Sequence, residues 1–229
     1  MVIPTYNEAM NITRLITGIR ETLERRPHHI IVVDDGSVDG TREAIRALGD
    51  GYHVEVINRG VKTGLGSALV CGLKTAVAYH PSMVVTMDAD LSHDPSEIPR
   101  LLDAFNPGVL VVGSRYVEKG GWEGFDPSRI LISKTANRLS DRLLGTGVRD
   151  CTSGFRLYPS EMVEAILPRL RSAGYDIQVE ALYECTKMGY AAVEVPISFH
   201  RRRGGKSKLG LVEAARFIRL LCRLKFYQG

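Results

Sequence analysis

The chain has 229 residues, 44% of them hydrophobic and 24% charged, with a formal net charge of +4. That length suits one folded domain with enough apolar material for a core, and the composition excludes a disordered chain, a disulfide scaffold and a collagen-like repeat. No apolar run approaches the ~20 residues of a membrane-spanning helix, and the start Met1-Val2-Ile3-Pro4-Thr5 predicts no signal peptide.

Val2-Ile3 ends a short strand. Ala9 to Arg26 reads as a helix, with Ile12, Leu15, Ile16, Ile19 and Leu23 at helical spacing. Ile30 to Val33 is a continuous β-branched run, too short for a helix. Thr41 to Leu48 is helical, Val54 to Ile57 a strand, Gly64 to Tyr79 a helix and Met83 to Met87 a buried strand. Ser96 is expected to cap a helix through Phe105, and Val109 to Val112 is a further strand. Glu118 to Pro127, Gly-rich and holding the only tryptophan, Trp122, reads as a mobile loop. Arg129 to Leu144 is helical, Gly145 to Gly154 a loop, and Glu161 to Leu170 and Ile177 to Met188 helical. Val193 to Pro196 is a strand at an edge or end because of its proline. Arg203 to Ser207 is too rich in Gly and Lys to be regular, and Leu211 to Tyr227 forms a last helix. Wholly apolar strands separated by helices predict an α/β fold with a mostly parallel sheet covered on both faces. No repeat or long linker divides residues 1–229, so one domain is expected.

The small net charge conceals an asymmetry. From residue 200 onward nine basic residues face Glu213 alone, so this tail carries +8 and the rest of the chain −4. Such a tail suits an anionic partner: phosphate, nucleic acid or a membrane surface. Residues 200–229 read as a basic loop followed by a helix, either interfacial or packed with a basic outer face. Aromatics are sparse within the tail until Phe217 and Phe226-Tyr227, which disfavours nucleic acid. Cys71, Cys151, Cys185 and Cys222 form no C-x-x-C pair and predict reduced thiols, neither stapled nor zinc-bound.

In such sheets ligands bind beyond the carboxyl ends of the strands. Those ends carry Pro4-Thr5-Tyr6-Asn7-Glu8, Asp34-Asp35-Gly36-Ser37, Asp88-Ala89-Asp90 and Gly113-Ser114-Arg115-Tyr116. A dinucleotide enzyme needs G-x-G-x-x-G after the first strand. That turn holds no glycine, and Gly64-Leu65-Gly66 follows the third strand instead. The redox reading fails there. Asp88 and Asp90, two residues apart past a buried strand, can both reach a hard divalent cation such as Mg²⁺ or Mn²⁺. Such an ion would neutralise a departing diphosphate. With Asp34-Asp35 on a neighbouring strand, the acids imply a metal or cationic partner.

Pro4-Thr5-Tyr6-Asn7-Glu8, Val33-Asp34-Asp35-Gly36-Ser37 through Thr41, and Asp88-Ala89-Asp90-Leu91-Ser92-His93 resemble the inverting nucleotide-sugar glycosyltransferases with a GT-A fold. Gly64-Leu65-Gly66, Gly113 to Tyr116, Arg129 to Asn137, Thr152 to Tyr158, Val195 to Phe199 and Gly205-Lys206-Ser207-Lys208-Leu209 follow the order of dolichol-phosphate mannosyltransferases. The match covers nearly the whole chain. The resemblance implies a Rossmann-like GT-A sheet in which Pro4, Tyr6, Glu8, Val33 and Asp35 hold the guanosine of GDP-mannose. It implies that Asp88 and Asp90, with the Ala89 backbone alongside, bind Mg²⁺ or Mn²⁺ and the donor diphosphate. Arg115, Arg202 and Lys208 would contact donor or acceptor phosphates, and Arg129 with Ser133 would seat the lipid phosphate. Asp90, Arg115 and Arg129 would carry catalysis. Ser92 stands where some prokaryotic relatives have a metal-binding glutamine, and Lys206 where relatives often have an acid.

The implied reaction moves mannose to dolichyl or polyprenyl phosphate with inversion, giving a lipid-phosphate-mannose donor for glycosylation. The acceptor phosphate monoester is already ionised near pH 7, its second pKa being ~6, so positioning and charge neutralisation suffice without a strong base. His93 and His200 then read as polar loop residues, and Trp122 and Phe125 either line a lipid path or cap the core. Two alternatives stand beside this reading: a UDP-glucose-dependent polyprenyl-phosphate glucosyltransferase, and a nucleotide-sugar-binding subunit without activity. The resemblance also implies a peripheral protein at the cytoplasmic face of a membrane, which a separate small membrane subunit can anchor.

Overall fold

The computed structural model describes residues 1–201 and 211–226, with side chains of the last helix described from residue 215. Its elements run β1 (Val2–Thr5), α1 (Ile12–Thr22), β2 (Ile30–Asp34), α2 (Thr41–Arg46), β3 (Val54–Asn58), α3 (Leu65–Val77), β4 (Met83–Thr86), α4 (Ile98–Asp103) and β5 (Val109–Ser114). Then follow β6 (Gly121–Glu123), α5 (Pro127–Leu144), β7 (Arg156–Pro159), α6 (Ser160–Ile166), α7 (Ile177–Lys187), β8 (Ala191–Pro196), β9 (Ser198–His200) and α8 (Leu211–Phe226). Seven strands form one sheet in the order β3-β2-β1-β4-β7-β5-β8. All neighbours are parallel except at β7, which runs antiparallel between β4 and β5.

Side chains alternate across the strands and build a core on each face. Val2, Ile31, Val33, Val84, Leu110 and Val112 pack with Leu69 of α3, Met162 of α6, Leu182 of α7 and Leu221 of α8. Ile3, Ile30, Val32, Val85 and Val111 turn the other way, onto Ile16 of α1 and Leu101 of α4. This is the expected mostly parallel, two-faced sheet. Helix α3 lies close on it because Gly72 has no side chain: a Cβ there would stand 2.4 Å from a Val2 methyl and 2.9 Å from a Val33 methyl.

The element readings differ in four places. Helix α1 starts at Ile12 rather than Ala9, because the Ala9 amide is drawn to Asp39 (3.0 Å) in the adjacent loop. Asp94, not Ser96, makes the cap: its carboxylate accepts the Ser96 amide at 2.9 Å and opens a 3-10 turn that leads into α4. Glu118 to Pro127 is not all loop, since β6 pairs there with β9 and sets Trp122 opposite Phe199. Arg156-Leu157-Tyr158-Pro159 is a central strand despite its charge and proline. Arg156 is wholly buried there, donating to the carbonyls of Gln178 (2.7 Å) and Cys151 (2.8 Å). The edge position predicted for Val193 to Pro196 is found in β8. The irregular stretch expected over Arg203 to Ser207 lies outside the described residues, as do Arg202 and Lys208. All four cysteines are free thiols.

Candidate active site

Strands β1, β2, β4 and β5 share one direction, so their carboxyl ends line one rim. At the β1 and β2 exits, side chains lace the two loops together. The Asn7 amide donates to Ser37 Oγ (2.8 Å), the Val38 amide to Asn7 Oδ1 (3.0 Å) and the Glu8 amide to Thr41 Oγ1 (2.9 Å). Asn7 adopts φ 55°, a left-handed turn that asparagine tolerates. Asp34 is fully buried and accepts the Ser37 amide (3.1 Å to Oδ2) with Arg42 nearby at 3.4 Å. Its work is to hold the turn. Asp35 accepts Arg59 on Oδ1 (2.8 Å) and the Thr63 and Gly64 amides on Oδ2 (3.2 and 3.0 Å). The Asp34-Asp35 pair thus has its cationic partners inside the protein. Tyr6 lies beside this cradle, its ring 3.9 Å from Lys62 Nζ. Val33 is wholly buried, main chain as well as side chain, between β1 and β3, so it backs the cradle from within the sheet.

At the β4 exit Asp88 keeps about a third of its side chain exposed (32%), whereas Ala89 and Asp90 are buried. The Ser92 amide donates to Asp90 Oδ1 (3.0 Å) and the backbone turns left-handed at Leu91 (φ 59°). His93 is buried between Phe155 and Phe199, with ring centroids 5.2 Å from each. Its Nδ1 accepts the Asp88 amide at 3.3 Å. Burial pushes the imidazole pKa down to about 4, more than the nearby Asp90 carboxylate can offset, so the ring is neutral at pH 7.

At the β5 exit Arg115 is buried and bound along one edge by Asp150. Its Nε donates to Asp150 Oδ2 (2.7 Å), its backbone amide to the same oxygen (2.9 Å) and its Nη2 to Asp150 Oδ1 and Thr152 Oγ1. The guanidinium also faces the Trp122 and Phe199 rings at 4.5 and 5.0 Å. Burial alone would lower its pKa, but the Asp150 carboxylate outweighs that and raises it above the ordinary arginine value. The result is a permanent, oriented cation. Tyr116 links this corner to α5, donating to Ser133 Oγ at 2.7 Å. Arg129, in the first turns of α5, stacks on Phe125 at 5.2 Å, and Phe125 packs on Trp122 at 4.9 Å. Trp122 and Phe125 therefore connect Arg115 to Arg129 rather than simply capping the core.

The fold brings Asp88, Ala89 and Asp90 after β4 and Arg115 after β5 to one rim, on parallel strands separated by the antiparallel β7, with Pro4, Tyr6, Glu8, Val33 and Asp35 on the β1–β2 side and Arg129 and Ser133 beyond β5. Sequence reasoning missed Asp150 and Arg59, and Gly154 entered it only as part of the stretch Thr152 to Tyr158. Asp150 sits in a loop with no motif spacing, and only its burial marks it. Among the described residues no group of three or more His, Cys, Asp or Glu side chains is placed to hold a metal. Asp88 and Asp90 nonetheless supply the hard oxygen donors that Mg²⁺ or Mn²⁺ prefers, and such ions keep water or substrate phosphate in their remaining positions. The donor set fits a divalent ion shared with a diphosphate.

The model of the family described as glycosyl transferase family 2 matches residues 1–167. The chain belongs to that family. It is 41% identical over 213 residues to a polyprenol monophosphomannose synthase of Mycolicibacterium smegmatis, covering 91% of this chain and 80% of that one. It is 36% identical over 210 residues to an undecaprenyl-phosphate mannosyltransferase of Micrococcus luteus, covering 91% and 86%. Among solved structures, a glucosyl-3-phosphoglycerate synthase of Mycobacterium tuberculosis in complex with Mn²⁺, UDP and phosphoglyceric acid aligns with a TM-score of 0.72 at 23% identity, over 98% of this chain and 77% of that one. That likeness is one of fold, and it places this member of glycosyl transferase family 2 in the GT-A architecture.

Proposed function

We propose that the chain moves a mannosyl group from GDP-mannose to the phosphate of a polyprenyl or dolichyl lipid, inverting the sugar. The observation that carries this reading is that Arg115, held as a fixed cation by Asp150 and within electrostatic reach of Asp88, ends its strand on the same rim as Asp88 and Asp90. An acid pair suited to a metal diphosphate shares that rim with a cation suited to phosphate, and the similar enzymes are named a polyprenol monophosphomannose synthase and an undecaprenyl-phosphate mannosyltransferase. Pro4, Tyr6, Glu8 and Asp35 hold the nucleoside, with the buried Val33 backing them. Asp88 and Asp90 would hold Mg²⁺ or Mn²⁺, and such an ion would supply charge neutralisation for the leaving diphosphate. Arg115 steadies phosphate charge next to the sugar, and Arg202 and Lys208 contribute from outside the described residues. Arg129 and Ser133 orient the acceptor phosphate. A phosphate oxygen then attacks the anomeric carbon, the bond to the diphosphate breaks with its electron pair, and GDP leaves. The attacking oxygen carries no proton, so no general base acts, consistent with a neutral, buried His93.

We read residues 1–229 as one catalytic unit that works at a lipid surface. Helices α5 and α8 pack together, and Leu131, Ile132, Ile218 and Phe226 are exposed beside Lys134, Arg138, Arg219 and Lys225. Among the described residues no helix is long and apolar enough to cross a membrane. The deciding assay supplies Mg²⁺ or Mn²⁺, a polyprenyl phosphate and either GDP-mannose or UDP-glucose. Lipid-linked mannose from GDP-mannose alone is expected, and turnover of UDP-glucose alone overturns the donor assignment.

A further inference from the structure

Gln178 has a side chain that the fold does not use. It sits in the first turn of α7, only 4% exposed, and its buried Oε1 has no hydrogen-bond partner among the described residues. Leaving such a group unpaired costs about 1–3 kcal/mol, so a leucine or methionine would serve the core better. Its main chain, by contrast, is firmly tied: the carbonyl accepts the buried Arg156 at 2.7 Å. The position of the residue is fixed while its amide is left available.

Its surroundings say what the amide is for. A Cβ built on Gly154 would lie 3.2 Å from Gln178 Nε2 and 3.0 Å from Asp88 Oδ1. Gly154 has no left-handed backbone to explain it, so the glycine is there for space, and that space brings the amide and the Asp88 carboxylate to one spot. Gly154 precedes β7, whose register sets Arg156 opposite Thr86, and its carbonyl accepts Thr86 Oγ1 at 2.7 Å. In sheet order the rim therefore runs from Asp35 (β2) to Asp88 (β4), then Gly154 ahead of β7 with Gln178 of α7 beside it, then Arg115 (β5).

Resting on the reading above, we infer that Gln178 contacts a hydroxyl of the transferred hexosyl group. In that reading the nucleoside lies at Asp35, the diphosphate at Asp88 and the acceptor phosphate toward Arg115 and Arg129. The sugar must span the gap between the two phosphates, where Gln178 stands. Charged groups on either side suit phosphate. A neutral amide, both donor and acceptor, suits a hydroxyl, and rotation of its last torsion turns either end to the ligand.

The test measures binding of GDP and of GDP-mannose, each with Mg²⁺, to the wild type and to Gln178→Leu and Gln178→Ala. The expected result is unchanged GDP affinity, a roughly 5- to 10-fold loss for GDP-mannose, as one hydrogen bond near 1 kcal/mol gives, and a lower kcat. The melting temperature of Gln178→Leu is expected to stay at or above that of the wild type, because Oε1 has no hydrogen bond to lose among the described residues. Equal losses for GDP and GDP-mannose, or no loss for either, overturn the inference, as does a Gln178→Leu variant that melts lower with both affinities intact. A wild type that ignores GDP-mannose and takes UDP-glucose instead overturns the donor assignment alone. The same comparison between UDP and UDP-glucose then decides Gln178.

Discussion

The most consequential single contact at the site is Arg115 with Asp150, a pair whose side chains are 8% and 0% exposed. Removing one partner of a buried pair strands the other charge, which typically costs 3–5 kcal/mol, roughly. Asp150→Ala should therefore lower the melting temperature sharply and reduce transfer more than substrate binding, read by calorimetry and steady-state kinetics. Arg115→Lys should also fail, since an ammonium cannot repeat the forked contact to both carboxylate oxygens. Arg115 itself was legible in the sequence because it follows an apolar strand directly. Asp150 was not, because its role depends on a contact 35 residues away. His93 offers a second residue-scale outcome. Its pKa falls from 6.5 to about 4 on folding, so between those values the unfolded chain binds a proton that the folded chain refuses. Stability of the metal-free protein should be full above pH 6.5 and decline as the pH falls toward 4, by about 3 kcal/mol for 2.5 units. Denaturant midpoints measured from pH 7 to pH 4 test this, and His93→Asn should flatten the slope.

Among elements, the parallel strands and their covering helices were the most readable part of the chain. A run such as Ile30-Ile31-Val32-Val33 has one stable use, burial on both faces. β7 was not readable, because Arg156 and Pro159 argue against a central strand until the carbonyls of Gln178 and Cys151 accept the two terminal nitrogens of the buried guanidinium. β6 was hidden for another reason. Its partner is β9, far along the chain, and three residues of Gly121-Trp122-Glu123 show no period of their own. Close packing of α3 gives the element-scale prediction. Gly72→Ala places a Cβ 2.4 Å from a Val2 methyl and should lower stability by about 1–3 kcal/mol through overpacking. Gly40→Ala adds no steric contact, though its φ of 92° strains any side chain there. If Gly72→Ala melts like the wild type, α3 does not depend on that glycine for its approach to the sheet.

For the whole molecule, the net charge of +4 joins an acidic body to a basic tail. Exposed apolar residues on α5 and α8 lie among cations on two helices that pack together. Each basic residue near an anionic bilayer contributes about 1 kcal/mol. Wild-type protein should float with vesicles containing phosphatidylglycerol and release at high salt, while Ile132→Glu with Ile218→Glu should stay with the soluble fraction. Flotation of the double variant at wild-type levels would move the lipid-facing surface elsewhere. The sequence alone determined the sheet class, the strand exits where polar residues gather and the family resemblance, because strand burial and turn chemistry are local and leave a pattern. Only the tertiary structure decided that Asp34 and Asp35 are balanced from within, that Asp150 fixes Arg115, and that Gln178 Oε1 has no hydrogen-bond partner among the described residues. Those are meetings of residues distant in the chain, and burial, which sets the value of each charge or amide, exists only once the chain has closed around it.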